Sequence, residues 1–131
     1  MSSTEKRYTI DEANALLPMV RSVLLQLAVQ RRHYAEAHAA LHERLRGNGN
    51  PARAHEVTRH EERVAEVQAG MEALAEHLAQ LGVVVRDLEM GLLDFPAVRD
   101  GEPIWLCWRL SDASVAYWHT RHEGYTSRRP W

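Results

Sequence analysis

Five side chains in the C-terminal third could hold a divalent metal: Asp87, Glu89, Asp94, His119 and Glu123. Carboxylate oxygens and imidazole nitrogens are donors a zinc-like ion accepts, and an incomplete protein shell leaves a position for water. Asp87 and Glu89 alternate with Arg86 and Leu88, so an extended chain projects both carboxylates to one side. His119 and Glu123 come together if their segment is helical. No HExxH pattern or paired CxxC accompanies them, and a hydrogen-bonded polar network accounts for the same residues without a ligand. In that network Asp94 and Arg109 form a salt bridge, placed diagonally on one face of a hairpin.

Other residues offer competing chemistry. Cys107 is the single cysteine, so no intrachain disulfide exists and the thiol needs a base to become a nucleophile. His119 is the nearest candidate, but pairing Cys107 with Trp118 turns the two to opposite faces and leaves a buried structural cysteine. His38, His42, His55 and His60 could hold a metal if two helices run antiparallel, with His38 opposite His60 and His42 opposite His55; solvated or snorkelling histidines near an exposed loop are the favoured explanation. Trp105, Arg128, Arg129 and Trp131 are candidates for an interface, including stacking on single-stranded nucleic acid, whereas Trp108 and Trp118 suit the core.

The positioning elements are legible from periodicity. Thr9-Ile10-Asp11-Glu12 is a capping box, followed by Leu16, Val20, Val23 or Leu24, Leu27, Tyr34, Leu41 and Leu45 on one stripe. Pro18 predicts a kink or a short first segment ending near Leu17. Gly47-Asn48-Gly49-Asn50-Pro51 is a helix-to-helix turn. Val57, Val64, Met71 and Leu78 recur every seven residues, with His60, Val67, Leu74 and Leu81 between them, as in a coiled-coil seam that Gly82 ends. Beyond it the period shortens. Val83-Val84-Val85, the turn dipeptide Asp100-Gly101 and alternation from Ile104 to Leu110 predict strands, with a further strand over Val115 to His119 or a short helix capped by Asp112. The expected fold is α+β: a long antiparallel helical hairpin (9–46 and 51–81) packed with a small antiparallel β-meander in an aromatic tail (83–131), in one domain.

Composition narrows the function. Sixteen basic against eighteen acidic residues give a net charge of −2, which provides no field for nucleic acid or an anionic membrane. The N-terminus lacks an apolar signal core, and no apolar run approaches the roughly 20 residues of a membrane-spanning helix. Neither a glycine-rich phosphate loop nor a GxSxG elbow occurs.

Tyr8-Thr9-Ile10-Asp11-Glu12-Ala13-Asn14 with Leu16-Leu17-Pro18, the run from Asp87 to Ala97, Leu106-Cys107-Trp108-Arg109, Tyr117-Trp118-His119, and Glu123-Gly124-Tyr125 with Arg128 to Pro130 resemble the uncharacterised prokaryotic family "domain of unknown function 2203". The resemblance spans the chain and implies no activity, ligand or catalytic residue. The expectation is a cytoplasmic, non-enzymatic interaction or scaffold module that self-associates as a homo-oligomer, because a two-helix hairpin leaves apolar surface for a second copy. The first alternative is a protein binding a divalent transition metal, including a hydrolase. The second binds single-stranded nucleic acid through its tail. Whether the chain is an enzyme stays open.

Overall fold

A computed structural model describes residues 6–46 and 52–131. Two long helices, α1 (Ile10–Leu45) and α2 (Ala52–Gln80), precede an antiparallel sheet of β1 (Val84–Asp87), β2 (Leu92–Arg99), β3 (Glu102–Trp108), β4 (Tyr117–Thr120) and β5 (Arg129–Pro130), in that spatial order. The fold is therefore the expected helical hairpin followed by a meander. The turn expected at Gly47 to Pro51 lies outside the described residues.

The helices begin and end on local chemistry. Thr9 N–H donates to Glu12 Oε1 at 2.9 Å and Glu12 N–H to Thr9 Oγ1 at 3.1 Å, the reciprocal bonds of a capping box. α1 runs unbroken through Pro18, so no short segment ends at Leu17. α2 closes with Gly82 N–H on Ala79 O and Val83 N–H on Leu78 O, the paired bonds of a Schellman cap. Among the described residues no helix is long and apolar enough to cross a membrane.

The chain divides into two compact units, Met1–Leu24 with Glu76–Trp131, and Leu25–Ala75. The second contains the middle of the hairpin, where Leu27, Ala37 and Val67 are buried. Arg44 Nε lies 3.4 Å from Glu56 Oε2 and links the two helices. The first contains the sheet. There Leu93, Phe95, Ala97, Ile104, Leu106 and Trp108 alternate along β2 and β3 and are all buried, forming one apolar face. Tyr8 meets Phe95 edge-on at 5.7 Å and Arg21 lies over Trp108, so the start of the chain covers this face.

Two turns set the β2 position. Asp100 and Gly101 have φ of 51° and 80°, the pair of positive values a two-residue hairpin requires. At Gly91, φ is 64° and an added Cβ would stand 2.7 Å from Leu110 Cβ, so only glycine fits where β1 enters β2.

The β3–β4 register departs from the expected one. Cys107 pairs with Tyr117 and Leu106 with Trp118, so Trp105 faces His119. One residue of slip exchanges faces, placing His119 on the same side as Cys107. The connection is irregular and is held from a distance. Val115 N–H donates to Asn14 Oδ1 at 2.7 Å, Asn14 Nδ2 returns to Val115 O at 3.1 Å, and Arg21 donates to the carbonyls of Leu110, Asp112 and Ala113.

Candidate functional site

The second face of the sheet buries a polar group. Asp94 from β2, Cys107 from β3 and His119 from β4 are at most 2% exposed, and one potential ligand atom from each lies within 4.8 Å of the others. A cavity of about 330 Å³ opens on them, walled by Arg86, Arg121, Glu123 and Tyr125 among others. Among the described residues this is the one group of three or more metal-capable side chains.

Hydrogen bonds define the centre. His119 Nδ1 lies 2.8 Å from Thr120 O, and because a carbonyl only accepts, Nδ1 carries a proton and donates it. The other ring nitrogen, Nε2, faces Asp94 Oδ1 at 3.0 Å, so one proton lies between them. Arg86 Nε donates to the remaining oxygen, Asp94 Oδ2, at 2.9 Å. Both imidazole nitrogens are thus committed, and neither is free to deprotonate Cys107. Burial pushes the Cys107 thiol up to about 12, with the neighbouring Asp94 charge adding to the rise against the lowering effect of Arg128. Without a metal, this is no activated thiolate.

A second polar group braces the site. Arg128 donates to Asp112 Oδ2 at 2.7 Å and Oδ1 at 3.3 Å, and its guanidinium lies over the Tyr117 and Tyr125 rings. Burial acts to raise the Asp112 carboxyl, but the Arg128 bonds and the Arg109 amide outweigh it and hold it below the usual range. Glu123 accepts from Thr120 N–H at 3.1 Å and from Arg129, and that backbone bond first, with the Arg129 charge, lowers its carboxyl too.

The five expected ligands therefore separate. Asp94 and His119 converge, and Glu123 reaches the same cavity from a turn instead of a helix. Asp87 is exposed and accepts from Met90 N–H, while Glu89 is exposed on the same turn. Cys107, set aside as structural under the slipped register, is the third member. In place of the expected Asp94–Arg109 pair, Asp94 takes Arg86 and His119, and Arg109 leans toward Asp112 at 3.7 Å. The helical histidines do not gather into such a group: His38, His42 and His55 are exposed and His60 is half-buried. Trp108 is core, whereas Trp118 is half-buried between arginines. Of the interface candidates, Trp105 is half-buried between Arg86 and Arg121, Trp131 is 49% exposed, and Arg128 and Arg129 are committed to Asp112 and Glu123.

Asn14, Arg21, Arg86 and Asp112 also shape this unit, although periodicity offered no signal for them. The chain's sequence matches, over residues 6–131, the family described as "Uncharacterized conserved protein (DUF2203)". The chain belongs to that family. The match includes every residue of the buried centre, so the family assignment and the site concern the same segment of sequence. No curated protein and no solved structure matches.

Proposed function

We propose that this DUF2203 member is a cytoplasmic metal-binding protein, its divalent transition ion held by Asp94, Cys107 and His119 Nε2. The observation that carries the reading is the convergence of three buried donors from three adjacent strands under an open cavity. A sulfur, nitrogen and oxygen set suits zinc, and three protein ligands leave a fourth position for water or a substrate, the composition of catalytic zinc sites. The Nδ1 bond to Thr120 O supports it further: a backbone acceptor on one ring nitrogen orients the other toward a metal. Zinc would replace the proton between Nε2 and Asp94 Oδ1, while Arg86 keeps Oδ2. It would also convert the Cys107 thiol to a thiolate, as coordination deprotonates thiols.

The test is cobalt substitution of untagged protein. Near-stoichiometric binding with a sulfur-to-cobalt charge-transfer band, lost in Cys107→Ser and weakened in His119→Ala, is expected. Folded protein that binds no zinc or cobalt, or binds cobalt without the sulfur band, overturns the reading.

A second reading, self-association through the helices, is favoured by Leu25 and Val29. These are one turn apart on α1, 60% and 43% exposed. Sedimentation showing a folded monomer throughout the micromolar range counts against it.

A further inference from the structure

We infer that the groove between the β2–β3 turn and the end of β4 binds a small zwitterion, an amino acid with an apolar side chain, whose carboxylate pairs with Arg99 and whose ammonium faces Asp100 and Glu102. The cavity there has a volume of about 510 Å³, larger than the one over the buried centre. That is within the range of small-molecule sites.

Arg99 is the anchor. Its guanidinium carbon lies 4.8 Å from the Trp118 ring centroid and 4.5 Å from that of Trp131, so the cation rests against two indoles. Rings against the flat faces of a guanidinium leave its rim of N–H donors for a ligand, and that rim matches a carboxylate with two parallel bonds. The setting differs from that of four other arginines around the sheet: Arg86, Arg109, Arg128 and Arg129 each face a carboxylate, while among the described residues Arg99 has none within ion-pair reach. Its failure to pair is not for want of acids. Glu102 stands directly opposite Arg99 in the ladder and Asp100 follows it in the chain, and both line the same cavity.

Opposite charges that line one cavity without pairing with each other are what a zwitterion bridges. Arg99 and Arg121 balance Asp100 and Glu102 along the lining, and a net-neutral zwitterion suits that balance better than a phosphate dianion. Pro103, exposed on the same lining, offers apolar surface for a side chain. The groove shares Arg121 with the buried centre but none of that centre's three donors, so the inference stands whether or not zinc binds there.

The probe is L-leucine, titrated into isotopically labelled protein while the Trp118 indole N–H and Arg99 Nε–H signals are followed. Saturable shifts of both are expected. Isovalerate, with the carboxylate alone, and isoamylamine, with the amine alone, should each bind at least about tenfold more weakly. Arg99→Gln should abolish the leucine response. Glu102→Gln, at an exposed position that leaves folding intact, should weaken leucine and not weaken isovalerate. The inference is overturned if leucine produces no saturable shift, if inorganic phosphate binds more tightly than leucine, or if Glu102→Gln leaves the preference for leucine over isovalerate unchanged.

Discussion

Cys107 and Asp112 show how burial assigns different duties to residues that look equally reactive in a sequence. Cys107 is fully enclosed and its thiol pushed up to about 12, so in metal-free protein it should resist iodoacetamide in buffer and react readily in denaturant. Rapid labelling of the native thiol would contradict that enclosure. Asp112 works through Arg128. Its folded carboxyl titrates below the unfolded one, so the pair's stabilisation is complete above about pH 4 and is lost as pH falls through the lower folded value. Asp112→Asn should therefore flatten the acid limb of a stability-against-pH profile measured by urea unfolding. Removing the cation leaves a mostly buried carboxylate with only the Arg109 amide and the more distant Arg109 guanidinium, and Arg128→Ala should cost about 2 kcal/mol, somewhat less than a fully buried pair because some water still reaches it. The tail arginines that resembled a nucleic-acid surface are structural in this respect. Their carboxylate partners, Asp112 and Glu123, lie sixteen and six residues away, and sequence distance alone did not pair them.

Elements reveal the same division between local and distant causes. The Thr9–Glu12 cap, the Asp100-Gly101 turn and the Gly82 stop were legible because each is made by residues within a few positions of one another. Glycines inside elements were harder to read, since their role depends on what stands nearby. Gly91→Ala would combine a left-handed backbone with a 2.7 Å approach to Leu110 Cβ and should destabilise by about 2 kcal/mol. Gly70 lies in α2 with nothing within 4 Å of a new Cβ, and Gly70→Ala should stabilise by up to about 1 kcal/mol. Urea midpoints moving in the same direction for both variants would refute this contrast. Asn14 connects α1 to the approach of β4 through two bonds, and Asn14→Ala should cost about 2 kcal/mol by leaving the Val115 amide and carbonyl without partners.

At the level of the whole molecule, the two compact units differ in what they bury. Among the described residues, buried apolar side chains in Leu25–Ala75 are few, Leu27, Ala37 and Val67, whereas the other unit encloses Phe95, Leu93, Leu106, Trp108 and more. Hydrogen exchange should find amides of 25–46 and 52–75 opening at lower free energy than those of β2 and β3, and equal protection in both would refute it. The sequence by itself determined the α+β order, the helix caps, the central hairpin and the family, because those follow from periodicity, short-range bonds and the residue pattern itself. Only the tertiary structure decided that Asp94, Cys107 and His119 meet. That depends on the β3–β4 register, in which a single residue moves every side chain to the other face, and the segment between those strands is bonded by Asn14 across 101 positions and by Arg21.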